Sequence, residues 1–286
     1  MRILIYSTLI FAFLSVFGSA KEWTKFRGPT EDGHVTVKSI PLKWSDTENI
    51  KWKVPVPGKG WSSPVISADK IYLTSAVAEG DNQDAADVHR ELRVICYSAN
   101  NGKKLWDTKV FDQKPLKRPI HHKNSHASPT AIVDNDRIYV HFGHMGSAGL
   151  NLQGEIIWKN DELKYDPLHG NGGTPIIVDD LFFYSADALT NPFVVALDKN
   201  TGKVVWKKSR SETKQARKFS FSTPTFINMG GRSQIISPAS GAVFSYDSKT
   251  GEELWSVDYG GWSVIPKPGV YKNMIYVGTG YERAHL

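Results

Sequence analysis

The chain has 286 residues, a formal net charge of +6, 12% aromatic residues, nine histidines and one cysteine. A single cysteine excludes an internal disulfide framework, and the modest basicity is too diffuse to specify nucleic acid, so no nucleic-acid partner is expected. The sequence has no Gly-x-Ser-x-Gly elbow, His-Glu-x-x-His helix, phosphate loop or Cys-x-x-Cys pair, which leaves no catalytic constellation readable from motifs.

In chain order, the first predicted element is a leader. Arg2 precedes an unbroken apolar run from Ile3 to Phe17, and Gly18-Ser-Ala20 supplies small residues for cleavage. This predicts a signal peptide over residues 1–20, cleaved near Ala20, because the run is too short and wrongly flanked for a transmembrane segment. No cysteine follows it to carry a lipid anchor, so a periplasmic or extracellular mature chain with a net charge of about +5 is expected. Residues 21–60 read as an N-terminal segment whose Trp52, in Asn49-Ile-Lys-Trp-Lys, sits on an outer strand of the kind that closes a ring.

Residues 61–286 are repetitive. Gly-x-x-x-Trp recurs roughly every 50 residues, ending at Trp106, Trp158, Trp206 and Trp255. Upstream of each stands a small hydroxyl residue followed by proline: Ser63-Pro64, Ser128-Pro129, Thr174-Pro175 and Thr223-Pro224. Between the landmarks lie four short β-branched and aromatic runs separated by turn residues, which read as four antiparallel strands and hence one propeller blade. Gly202 and Gly251 each end an Asp-x-x-Thr-Gly turn, where glycine takes a positive φ at little cost. The fold class is therefore all-β, a β-propeller. Four complete blades are expected over residues 61–110, 126–163, 172–210 and 221–260, with part of a fifth and a parent ring of seven or eight. Cys96, in the strand run Arg93-Val-Ile-Cys-Tyr97, reads as a buried, inert thiol.

The repeats resemble those of the pyrroloquinoline-quinone (PQQ) repeat, or quinoprotein-like, propellers. The family consensus Ala-Leu-Asp-x-x-Thr-Gly-x-x-x-Trp is matched from Ala196 to Trp206 and closely from Tyr246 to Trp255. Phe26-Arg-Gly-Pro29, Asn124-Ser-His-Ala-Ser-Pro129, His141-Phe-Gly-His-Met145 and His169-Gly-Asn-Gly-Gly173 resemble a narrower group of secreted planctomycete-type PQQ-binding-like propellers. The superfamily holds both PQQ-dependent dehydrogenases and cofactor-free scaffolds, including the propeller subunit of the outer-membrane assembly machinery. The resemblance implies that Trp52, Trp106, Trp158, Trp206 and Trp255 dock between neighbouring blades. It also raises PQQ with Ca²⁺ as a possible cofactor pair. The dehydrogenases carry an adjacent Cys-Cys ring and a Glu/Asn/Asp calcium set, and no stretch of this chain aligns with them residue by residue, so no cofactor is the expected state.

Histidine placement is the strongest functional signal. The loop entering a blade's first strand and the loop joining its second and third strands emerge on one face. His121, His122 and His126 precede the second blade, His144 follows its second strand, and His169 with Asn171 precedes the third, so all point to that face. His141 lies nearer the strand interior and reads as core. Neutral imidazoles ligate metals, making His126, His144 and His169 a candidate metal trio, with Asp187 as a further ligand reaching in from the next blade. The basic runs Lys114–Lys123 and Lys207–Lys218 leave on the same side, with Arg283 joining them. Trp61, Phe221 and Trp262 stand at loop–strand junctions where they would stack on sugars or cap the blades. The loop Glu79–Asp87 is acidic and reads as mobile. Together these features predict a binding or scaffold module that takes a protein or an anionic glycan on one face. The alternative is a PQQ-dependent alcohol or sugar dehydrogenase.

Overall fold

The computed structural model describes residues 22–37, 39–116, 119–281 and 286. The predicted signal peptide, Lys117, Arg118 and Arg283 lie outside them. Four antiparallel sheets of four strands follow one another. The first holds β1 (Val65–Ser67), β2 (Lys70–Ala78), β3 (Arg90–Ser98) and β4 (Lys104–Gln113). The second holds β5 (Ile132–Asp134), β6 (Arg137–His141), β7 (Ser147–Asn151) and β8 (Ile156–Asn160). The third holds β9 (Ile176–Val178), β10 (Leu181–Ala186), β11 (Phe193–Asp198) and β12 (Val204–Ser209). The fourth holds β13 (Thr225–Met229), β14 (Arg232–Pro238), β15 (Ala242–Asp247) and β16 (Glu253–Asp258). A two-stranded sheet, β17 (Gly269–Tyr271) with β18 (Met274–Tyr276), follows. Each four-stranded sheet is a meander, with every strand paired to its sequence neighbour. No helix among the described residues is long and apolar enough to cross a membrane.

The repeated tryptophans explain how one sheet finds the next. Trp106, Trp158 and Trp206 donate from Nε1 to the carbonyls of Leu152, Lys199 and Ser248 in the following repeat, at 3.1, 2.8 and 3.3 Å. Trp52 does the same to Ala99 of the first sheet, at 3.0 Å. Each ring lies on the glycine of that next turn, so the glycine and the tryptophan of one Gly-x-x-x-Trp unit serve different neighbours. A Cβ on Gly202 would come within 2.3 Å of the Trp158 ring, and one on Gly251 within 2.4 Å of Trp206. Trp255 differs: its indole donates within its own sheet, to Gln234 Oε1 at 2.9 Å.

A feature absent from the sequence reading aims these rings. In all four sheets the register between the third and fourth strands slips at the residue just before the tryptophan, skipping Leu105, Ile157, Val205 and Leu254. Such a bulge bends the outer strand and re-directs the next side chain; at Trp106, Trp158 and Trp206 the indole is turned toward the neighbouring sheet. The inner strands are joined by hydroxyls. Ser63 N donates to Thr130 Oγ1, Thr130 N to Thr174 Oγ1, and Thr174 N to Thr223 Oγ1, each at 3.0 Å. In the second blade the linking hydroxyl is thus Thr130, two residues beyond the Ser128-Pro129 landmark, whereas the third and fourth use the hydroxyls of Thr174-Pro175 and Thr223-Pro224.

The N-terminal segment forms a strap along the inner strands. Trp23 bridges Ile66 of β1, the Thr24 carbonyl accepts from Val133 N of β5 at 2.8 Å, and Glu31 pairs with both Lys25 and Lys267. Gly28, at φ +76°, carries the Trp23 ring where a Cβ would stand 2.5 Å away. Strap and inner strands enclose a cavity of about 270 Å³ on the face that bears the β1–β2 type turns, away from the histidine loops.

Candidate functional site

The loops before β5 and β9 are tied together by one amide. Asn124 Nδ2 donates to the carbonyls of His169 and Asn171 at 2.9 and 3.2 Å, and its Oδ1 accepts from Ser125 N and Ser128 Oγ. This clamp brings three histidine rings together. His121 stacks on His122 with centroids 4.4 Å apart and meets His169 edge-on at 5.2 Å. His169 in turn packs against Phe219 at 4.9 Å. The His121 Nδ1 accepts from Lys123 N at 3.1 Å, which leaves its proton on Nε2 in the neutral ring.

These loops form one wall of a cleft of about 510 Å³ between the first and second sheets, lined by His121, His122, His126 and His169. The other wall was not anticipated: Lys59, Gln83, Asp84 and Arg90 line it. The acidic loop expected to be mobile is bound down, Asp84 by Lys59 and Gln83 by the Ala78 N–H. Only the identity of Arg90, a cation opening a strand, signalled this in the sequence. Trp61, beside the cleft, is 56% exposed and has Lys59 over its ring at 5.8 Å.

His144 and Asn171 belong to a second, drier group. Asn171 Oδ1 accepts from Tyr165 OH at 2.7 Å, and its Nδ2 faces His144 Nδ1 at 3.4 Å. Tyr165 also approaches His141 Nε2 at 3.4 Å, and His141 Nδ1 meets Ser147 Oγ at 2.9 Å. A void of about 10 Å³ beside them has room for roughly one water. Asp187 closes this void but does not reach the histidines. Both its oxygens are taken by Arg210, at 2.6 and 2.9 Å, with the two side chains 3% and 2% exposed. Burial opposes the charge on Arg210, and Asp187 more than offsets it, so the guanidinium pKa is raised. Arg210 belongs to the basic run Lys207–Lys218 and is its buried member.

The candidate metal trio is not assembled. His169 joins His121 and His122, His126 sits by Arg90, and His144 is turned to Asn171. Among the described residues no group of three or more His, Cys, Asp or Glu is placed to hold a metal ion. Trp262 is also engaged, with Arg217 at 4.1 Å over its ring, Tyr281 at 4.8 Å and Phe219 at 5.6 Å.

The whole repeat region has a known counterpart. The family model described as outer membrane protein assembly factor BamB matches residues 42–187 and 190–285. The chain belongs to that family. This BamB-family chain is also 33% identical over 140 residues to the quinoprotein ethanol dehydrogenase of Pseudomonas aeruginosa, covering 44% of this chain and 22% of the enzyme. It is 33% identical over 96 residues to the 1-butanol dehydrogenase (quinone) of Thauera butanivorans, 30% of this chain and 14% of that one. The matched stretches thus span less than a quarter of the relatives' length. Quinohemoprotein alcohol dehydrogenase from Comamonas testosteroni superposes with a TM-score of 0.57 at 11% identity, over 90% of this chain and 45% of that one. That likeness shows the propeller fold of the BamB-family chain and nothing further.

Burial of the inner histidines makes stability depend on pH. Burial, then the charge of His144, lowers His141 to about 3; burial, then Arg90, lowers His126 to about 4. The unfolded chain takes up these protons near pH 6.5 and the folded chain does not. Stability is therefore full above about pH 6.5 and falls as pH drops through that value toward the folded pKa. Urea unfolding at about pH 5 should show a loss of about 2 kcal/mol from His141 alone, relative to about pH 7.5. A flat profile over that range, where carboxylates stay ionised, would contradict the assignment.

Proposed function

We propose that this chain is a binding or scaffold module of the cell envelope, with its partner surface on the face carrying His121, His122, His126 and His169. The observation that carries the reading is convergence: loops from the first, second and third sheets meet there in a single cleft lined by charged and imidazole side chains, with exposed Trp61 and Lys123 beside it. An exposed aromatic beside cations suits a protein partner with an acidic rim. An anionic glycan would find a widely exposed aromatic only at Trp61, since Phe221 and Trp262 are partly buried. A periplasmic location agrees with the leader sequence and with the description of the family. A photo-crosslinking residue at position 122 should capture a partner that the same residue at exposed Lys249, on the opposite face, does not. Equal capture at both positions, or none at either, would count against the reading.

The second reading, a PQQ-dependent oxidoreductase, is favoured by the identity to quinoprotein ethanol dehydrogenase. The donors on this stretch fit it poorly. A hard cation calls for several free oxygen ligands, yet Asp187, the buried carboxylate among the inner loops, is held at both oxygens by Arg210. Cys96, buried in β3, has no second cysteine with which to form a disulfide ring. A titration with PQQ and Ca²⁺, followed by tryptophan emission and dye-linked oxidation of alcohols and sugars, separates the readings. Saturable quenching with dye reduction would make the protein an oxidoreductase.

A further inference from the structure

The cleft between the first and second sheets holds a buried cation with no anion in contact with it, although Asp84 and Asp87 act on it from further off. Arg90 is 1% exposed, and its guanidinium donates only to backbone carbonyls, those of Val88 at 3.3 Å, Gln83 at 3.2 Å and Ala85. Among the described residues no carboxylate lies within ion-pair distance of it. Asp84, the carboxylate lining the cleft, is engaged by Lys59 and turned largely to solvent. A guanidinium withdrawn from water is costly to keep without opposite charge, and neutral carbonyls compensate it only in part. His126 is held neutral, first by burial and then by the charge of Arg90. Lys59, half-buried on the same wall, adds a second cation. Opposite them the paired imidazoles of His121 and His122 present a flat polar surface. The volume, about 510 Å³, falls within the range of small-molecule sites, which run from roughly 300 to 1,000 Å³.

We propose that this cleft binds a small organic anion, with its oxyanion group between Lys59 and Arg90 and its body against the rings of His121 and His122. Charge-assisted hydrogen bonds from a guanidinium and an ammonium are the strong class of polar contact. The bound oxyanion would supply at contact distance the counter-charge that Asp84 and Asp87 give Arg90 only from further off. The proposal rests on reading this face as the binding surface, and it deepens that reading by naming the chemistry the face takes.

The test is calorimetric titration of the mature chain with citrate and with inorganic phosphate, using glucose as the uncharged control. Saturable binding of either anion but not of glucose is expected, and the anion that binds identifies the group recognised. Arg90 is buried, so its replacement risks unfolding the sheet. Lys59→Met and His122→Ala alter accessible side chains and keep the question open. Lys59→Met should weaken anion binding by about ten-fold or more, and His122→Ala by less. Absence of saturable binding by both anions at millimolar concentration would overturn the proposal, as would affinity unchanged in both variants. Crosslinking at position 122 that persists while the titrations are flat would sink only the anion site. Anion binding without any crosslinked partner would sink only the scaffold reading.

Discussion

Arg210→Ala is expected to lose about 3–5 kcal/mol of unfolding free energy. The substitution strands Asp187 in a site where 3% of its side chain is exposed. It also removes the donor that links the third sheet to the fourth through Ser237 Oγ at 2.9 Å. Ser237 would keep its bond to Ser185 Oγ at 2.8 Å, so the stranded carboxylate is the main loss. The double variant Asp187→Leu with Arg210→Met should recover most of the stability, because an apolar pair of similar bulk avoids the desolvation of both charges. Urea denaturation of the three proteins decides the matter. A loss below about 1 kcal/mol in Arg210→Ala would mean that water reaches Asp187.

Gly202→Ala should be nearly as damaging, about 3–4 kcal/mol. The backbone there has φ +70°, which costs an alanine about 1 kcal/mol by itself. The remainder comes from the Trp158 ring, which the new methyl would meet at 2.3 Å. To yield, Trp158 would have to give up its 2.8 Å bond to the Lys199 carbonyl and its packing on Phe182. Gly230→Ala separates the two contributions: its φ is +62°, and nothing lies within 4 Å of the added carbon. Gly230→Ala should therefore lose only the backbone share. Equal thermal shifts in the two variants would show that the ring contributes nothing to the joint between sheets.

The sheets were legible from the residues because a period near 50 and the Gly-x-x-x-Trp turns are local patterns. What joins them was not. The glycine and tryptophan of one motif act on different neighbours, and the bulge before each tryptophan leaves no mark in composition. The second blade carries its linking hydroxyl at Thr130, hidden beside the more conspicuous Ser128-Pro129. The histidine loops were placed on one face by strand order, yet which rings meet depended on the Asn124 side chain, whose bonds span 45 and 47 residues. Arg90 and Arg210 show the same limit: burial of a cation depends on what packs over it, and neighbours in sequence do not report that.

The strap has a consequence for the order of folding. Each sheet is a meander of neighbouring segments and can close soon after its own residues are made. Glu31 is different, because Lys267, its partner, lies 236 residues later. During synthesis in chain order Trp23 and Thr24 can seat on the first two sheets early, but the Glu31 end of the strap must wait for Lys267 while four sheets assemble behind it. That last tie is among the final events, and a nascent chain stalled before Lys267 should leave the stretch around Glu31 more open to proteolysis than in the complete chain, even when every four-stranded sheet is already formed.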